Sequence, residues 1–465
     1  MEVNQFTNVS DSSFQAYIQS KLRGKTYALP GDIGRDEYIV GCSGGADSTV
    51  LCILLCTLFP SVNFKLAFTD TKAEDPEIYL ALDRLEVFIG RKIERVEPEK
   101  GLYELVDSYN GFLPSGQKRW CTRELKLVPF KRWMEQFAGK QKYLFVGIRH
   151  DENERVAFTI DECETEMPFV DLGLVREDIF EILAATTGIP RFYERRTRSG
   201  CSSCFFQRRS ELVGLLQYQP IEFHRGKKYE KLNEVDLKTH IAAVPLWKET
   251  GIADNWLGLP LPTTDTLIKG RRPKKVSQSL FGKNEGIFVA AEFFFDGLLS
   301  HHEFVWKQRV VSYSPTLGGI KQQVNDRFQH LLATSEVHDM DNDDIRNKVR
   351  FGIYYIEVDS EAFNPKKSRE SYSWKSDDSF AQIEHIVSVV TRALQAHELA
   401  NLAQRKAKIN TVQQEWKEGA IESLAHIKEP VGTVVNASWY VPKEEVAELS
   451  DEEMITSIPC PMCSI

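Results

Sequence analysis

The stretch "YIVGCSGGADSTVLCILL", Tyr38 to Leu55, constrains the fold more than any other part of the chain. An apolar strand pattern stops at Cys-Ser-Gly-Gly-Ala-Asp-Ser, and an apolar helical pattern begins at once. A strand that turns straight into a helix leaves main-chain amides unpaired and aims the positive end of the helix dipole at one spot. That arrangement suits a polyphosphate. Gly44 and Gly45 let the backbone approach closely, and Ser43 and Ser48 add hydroxyl donors. Asp47 fits beside an anion only by capping the helix or by helping to hold a divalent cation. The plainer reading is a glycine turn capped by Asp47 or Ser48. The Gly-Lys-Ser or Gly-Lys-Thr ending of the Walker loop is absent.

From Glu37 to about Ile189, short β-rich runs alternate with amphipathic patterns, which predicts an α/β fold with a parallel sheet sandwiched by helices. Strands are expected at "YIVGC", "NFKLAFTD" and "YLFVGI". Helices are expected from Ser48, from Pro76, near Lys126, and over "VREDIFEILAATTG", which stops at Gly188 with Pro190 beyond. The organisation reads as an N-terminal helical segment over 1–35 and a domain over 36–260 that carries the glycine loop and a Cys-x-x-Cys element. A linker follows over 261–285, rich in Pro, Thr, Ser and basic residues, and then an α+β accessory domain with a mobile tail over 286–465. In that last part "GIFVAAEFFF" and "FGIYYIEV" read as strands. Ser379 to about Lys417 carries Ile383, Ile386, Val387, Val390 and Leu394 at helical spacing.

The 465 residues, 42% hydrophobic and 27% charged, are enough for two or three domains. No apolar run reaches the length of a membrane span, and the start "MEVNQFTNVSDSSF" has no secretory pattern, so a cytoplasmic protein with no membrane association is expected. A net charge of −9 and a pI near 5.7 do not advertise nucleic-acid binding by the chain as a whole, which leaves only local basic patches for that role. Nine cysteines, scattered and odd in number, argue for thiol, metal or core roles over a disulfide framework.

Ser43 to Ser48 resembles the SGGxDS pyrophosphate loop (PP-loop) of the ATP pyrophosphatase superfamily, with Ala46 at the variable position. "FTDTKAEDPEIY" is similar to the strand end and acidic turn of phosphoadenosine phosphosulfate reductase-like proteins, with Lys72 where glycine is usual. "RWCTRELKLVPF" resembles that family's Arg-Trp-Cys-Thr segment, and "GIRHDENERVAF" its Gly-x-Arg-x-x-Glu-Ser-x-x-Arg segment, with Asn153 for serine. "IPRFYERRTRSGCSSCFF" resembles its late Gly-Cys-x-x-Cys element. The likeness covers about residues 36–230. It implies an adenine nucleotide alpha hydrolase-like fold that binds ATP and magnesium and adenylylates an acceptor. Ser43, Gly44, Gly45, Asp47 and Ser48 would hold the phosphates, and Asp70 would close on nucleotide or magnesium at the strand edge. Arg119, Lys126, Arg149 and Arg155 would converge on phosphates or a developing anion, the plainer reading of each being a solvated charge.

Cys201 and Cys204 sit among Arg195, Arg196, Arg198, Arg208 and Arg209, a basic setting expected to lower thiol pKa. With Cys121 they line up with three of the four iron-sulfur ligands of relatives of adenylylsulfate reductase, where Trp120 takes the place of another cysteine. Cys163, His224, Cys460 and Cys463 are candidates for the fourth position. Zinc is the rival metal, and two thiols packed in a turn the plain alternative. Cys52 and Cys56, at i and i+4 of an apolar helix, are expected in the core, and Cys42 in strand packing. "HDMDNDDIRNKV" has alternating aspartates but lacks the glycine and glutamate of a calcium loop, so it reads as a solvated acidic loop.

The resemblance extends to DNA phosphorothioation sulfurtransferases, which implies ATP cleavage to AMP and pyrophosphate, sulfur transfer, a sulfur donor such as a cysteine desulfurase, and DNA or other nucleic acid as acceptor. The alternatives are a sulfonucleotide reductase and a non-catalytic nucleotide- or nucleic-acid-binding subunit of a multi-subunit complex.

Overall fold

The computed structural model describes residues 5–152, 163–197, 200–231, 284–299, 302–314, 317–338, 349–359 and 379–388, with a few single positions between the later segments. The chain divides into two compact units between Gln207 and Arg208.

In the first unit the order is α1 (Ser12–Lys21), β1 (Glu37–Gly41), α2 (Ala46–Leu58), β2 (Lys65–Thr69), α3 (Pro76–Ile89), β3 (Glu94–Val96) and α4 (Leu102–Ser108). There follow α5 (Trp120–Thr122), α6 (Val128–Met134), β4 (Lys142–Phe145), β5 (Glu164–Glu166), α7 (Pro168–Leu172) and α8 (Arg176–Ala185). The strands form one parallel sheet in the order β3-β2-β1-β4-β5. Strand alternation sorts the core into two layers. Tyr38, Val40, Leu66, Phe68, Tyr143 and Phe145 join the larger cluster with residues of α1, α2, α3 and α8. Ile39, Ala67, Leu144 and Val146 join the other with Phe130, Met134 and Phe137. Because both faces are covered, the strands read as continuous apolar runs, and Cys42, Cys52 and Cys56 are buried in the larger layer, as expected from their spacing.

Three local details differ from the sequence reading. Helix α2 starts at Ala46, two residues before the expected Ser48, because extended Gly45 occupies the N-cap. The helix expected near Lys126 starts at Trp120 and contains a π-helical turn, Arg123–Leu127. Pro129 has no amide proton to give the carbonyl of Leu125, and the chain widens just before it. Strands β3 and β5, three residues each, carry too short an alternation to be read.

In the second unit β6 (Asn284–Leu299), β7 (His302–Ser314) and β8 (Val349–Asp359) make an antiparallel sheet in the order β7-β6-β8. Besides these, the unit contains α9 (Arg209–Tyr218), α10 (Pro220–Lys227) and α11 (Leu317–Ala333). Ile320, Val324, Phe328 and Leu331 of α11 bury the sheet residues Ala290, Val311, Val349 and Phe351. Glu292 is fully buried between Arg309 and Arg327, the latter donating from Nε at 2.8 Å. The expected strands of this part do not include β7, whose sequence HEFVWKQRVVSYS is too charged to show a clear alternation. By their contacts α9 and α10 belong to the second unit; the expected linker at 261–285 lies outside the described residues. No helix among the described residues is long and apolar enough to cross a membrane.

Candidate functional site

From β1 the chain passes to β2 on one side, while β4 lies on the other side of β1, so the strand order reverses between β1 and β4, the switch point at whose carboxyl ends open α/β sheets bind ligands. Two of the motifs occupy those ends. The glycine loop leaves β1, and Gly147-Ile148-Arg149 leaves β4. A Cβ added at Gly147 would lie 3.1 Å from the carbonyl carbon and oxygen of Asp47, so the small residue is what lets the two segments meet.

Inside the loop the Ser43 amide donates to Ser48 Oγ at 3.1 Å, the two serine hydroxyls are 2.9 Å apart, and Ser48 Oγ donates to the Gly45 carbonyl at 3.2 Å. The Ala46 amide donates to the hydroxyl of Tyr193 at 2.8 Å. Gly44 has φ +73°, and a Cβ there would lie 2.9 Å from Ile78 Cγ2. Gly44→Ala is therefore expected to cost about 1–3 kcal/mol in urea unfolding. A cost below about 0.5 kcal/mol would mean the loop relaxes freely.

Asp47 does not cap α2. Both of its oxygens accept from Nη1 of Arg149 at 2.9 Å. Arg149 also donates from Nε to Asp151 at 3.0 Å and lies 3.3 Å from Glu152, so one guanidinium is embraced by three carboxylates. Burial pushes the Asp47 carboxyl up, and Arg149 opposes that shift.

Asp70 follows β2 and accepts from the Lys72 amide at 2.7 Å and the Tyr79 hydroxyl at 2.8 Å. Lys72 has φ +56°, which is the physical reason a glycine suits that position. The turn continues through Thr71, whose hydroxyl donates to Glu74 at 2.8 Å, to Asp75, which caps α3 by accepting from the Glu77 amide.

The Cys-x-x-Cys loop docks on this turn. Glu74 and Cys201 form an antiparallel bridge, the Asp75 amide donates to the Gly200 carbonyl at 2.7 Å, and the Ser202 amide donates to Ala73 at 2.8 Å. Arg195 pairs with Asp75, and Arg196, 3.7 Å from the same carboxylate, donates to the carbonyls of Gly200 and Cys201. Those arginines are therefore spent on a carboxylate and on main chain, which overturns the expectation that they lower the thiol pKa. Burial pushes Cys201 well above the usual thiol range, with Glu74 adding to it, and pushes Cys121 up to about 12, with Cys204 adding to it. Iodoacetamide should accordingly alkylate Cys121 at pH 8 roughly a thousandfold more slowly than a free thiol, and faster as pH rises. Labelling at the free-thiol rate would contradict this picture.

Cys121, Cys201 and Cys204 are near enough for each to raise another's thiol pKa, and no group of three His, Cys, Asp or Glu among the described residues is placed to hold a metal ion. Cys163 packs elsewhere, against the smaller core layer, and His224 of the second unit faces Glu384 at 3.9 Å. Cys460, Cys463 and Arg155 lie outside the described residues. Of the remaining expected cations, Arg149 stands at the loop, Lys126 interacts with Glu74 and Cys121, and Arg119 lies 5.0 Å over the ring of Phe206. Tyr193, Tyr79, Glu74 and Asp75 are site residues that the sequence reading does not single out, and Arg196 serves main-chain carbonyls where it was expected to act on the thiols. Only the adjacency of Tyr193 and Arg196 to the Cys-x-x-Cys element hinted at them.

Residues 37–167 match the family model described as the phosphoadenosine phosphosulfate reductase domain. An uncharacterized protein of Methanocaldococcus jannaschii is 33% identical over 119 residues, 26% of this chain and 24% of that protein, so the match spans about a quarter of the relative's length. Among solved structures, the phosphoadenylyl-sulfate reductase of Candida auris in a phosphate complex aligns at 11% identity over 41% of this chain and 95% of its own, with a TM-score of 0.31. The FMN adenylyltransferase of Candida glabrata, in complex with FMN and an ATP analogue, aligns at 13% identity over 42% and 71%, with a TM-score of 0.28. The segment 37–167, which holds the SGGxDS loop, the acidic turn and the Arg-Trp-Cys-Thr helix, is thus similar to the phosphoadenosine phosphosulfate reductase domain.

Proposed function

We propose that this chain uses ATP to activate an acceptor as an adenylate and then transfers sulfur to it, with nucleic acid as the acceptor class. The observation that carries the reading is the Ser43–Ser48 loop at the sheet's switch point, closed from the β4 side by the Asp47–Arg149 pair. An acceptor oxygen attacks the α-phosphorus, the bond from that phosphorus to the bridging oxygen breaks, and pyrophosphate leaves into the loop. A sulfur nucleophile then displaces AMP. Ser43, Gly44, Gly45 and Ser48 hold the leaving phosphates, Asp70 orients the nucleotide, and magnesium enters bound to the phosphates. Arg119, Lys126, Arg149 and Arg155 balance developing charge, and Cys121, Cys201 and Cys204 are the sulfur-handling end of the site. The sulfur donor in this reading is a cysteine desulfurase-type partner, within a multi-subunit assembly.

The test is anaerobic purification followed by incubation with ATP and magnesium, with and without DNA. AMP and pyrophosphate support the reading, and ADP with phosphate overturns it. Metal analysis of the same preparation decides the thiols' role. Visible absorbance lost in Cys201→Ser would establish an iron-sulfur cluster despite the present arrangement, and stoichiometric zinc would establish the rival. The matched domain's own name favours a second reading, reduction of a sulfonucleotide, for which sulfite release without ATP cleavage is the signature.

A further inference from the structure

Arg176 opens α8, and its guanidinium lies 4.7 Å from the ring of Phe180. It makes no hydrogen bond or ion pair with any described residue. The Phe180 ring meets that of Tyr193 edge-on at 5.2 Å, and the Tyr193 hydroxyl takes the Ala46 amide proton within the glycine loop. A continuous aromatic contact therefore runs from Arg176 to the phosphate loop. The charge of Arg176 interacts there with Tyr193, Arg149, Asp47 and Asp151.

The two arginines at the loop differ in what they have left to give. Arg149 is committed to Asp47, Asp151 and Glu152. Among the described residues, Arg176 is held by an aromatic face alone and keeps its hydrogen-bond donors. Burial lowers its pKa, with the neighbouring Arg149 charge acting in the same direction. A desolvated cation beside a second cation is a costly arrangement until an anion arrives.

We propose that Arg176 is a further ligand of the polyphosphate chain, gripping the phosphates that depart as pyrophosphate, with Tyr193 shaping the loop beside it. This assignment rests on the nucleotide reading above and deepens it. It also moves the phosphate-gripping role at this loop from Arg149, the residue the sequence motif marks, to one outside the motif.

The experiment is titration calorimetry of the full chain with three probes: inorganic pyrophosphate, ATP and adenosine. Arg176→Gln is expected to weaken pyrophosphate and ATP about ten- to a hundredfold while leaving adenosine unchanged. Arg176→Lys, which keeps the charge without the fork, should fall between, and it serves in place of the glutamine variant if that one melts early. Tyr193→Phe, which keeps the ring packing, should weaken the two phosphate probes by a smaller factor. Glutamine and lysine variants that both bind pyrophosphate like the parent would overturn the Arg176 assignment alone. A parent chain that binds adenosine but neither phosphate probe would overturn the nucleotide reading together with it.

Discussion

Asp47→Asn is expected to slow pyrophosphate release from ATP roughly a hundred- to a thousandfold, the scale of losing one preorganised electrostatic group from a reacting centre. Asp47 receives Arg149 on both oxygens, and that contact joins the loop after β1 to the segment after β4. An amide offers one acceptor where the carboxylate has two, and it removes the charge that holds Arg149 at the loop. Arg149 would then relax toward Asp151 and Glu152, its other carboxylates. Asp151→Asn is the matched control. Asp151 is more exposed and accepts a single bond from Nε, so its loss should cost less than tenfold. Equal rates for Asp47→Asn and the parent chain, both folded by circular dichroism, would remove the pair from the catalytic account.

Asp75→Ala should be the most destabilising single change in the first unit, by about 3–5 kcal/mol in urea unfolding. The carboxylate is fully buried with Arg195 and Arg196, both also buried, so its removal takes a close counter-charge from two buried guanidinium groups. The N-cap of α3 is lost in the same substitution. Asp75→Asn keeps an acceptor for the Glu77 amide and should recover about 1 kcal/mol of the loss. Because Arg196 also fastens the carbonyls of Gly200 and Cys201, loosening this network should speed alkylation of Cys201 in parallel. A loss under about 1 kcal/mol would show that the arginines find other partners.

Much of the first unit was legible. The apolar runs around Ile39, Leu66 and Leu144 marked the central strands because burial on both faces demands continuous apolar sequence. The Gly-Gly break placed the loop where β1 ends, and Asp75-Pro76 marked the start of α3. The short edge strands β3 and β5 and the charged strand β7 escaped, since their alternation is too brief or too polar to stand out. The thiols misled for a related reason. A count of nearby arginines measures charge along the chain, while thiol pKa responds to burial and to which arginines remain uncommitted.

By itself the sequence determined the alternation of strand and helix, the glycine turn at Ser43 to Ser48, and the residue types gathered near it. These are local properties, set by periodicity and by backbone conformations that only certain residues adopt. The tertiary structure alone decided which charges meet. Arg149 finds Asp47 across 102 residues and Arg195 finds Asp75 across 120, while Arg176 is left with an aromatic ring. Ion pairing follows distance in space and degree of burial, and both are products of how the sheet's strand order brings separate loops to one edge.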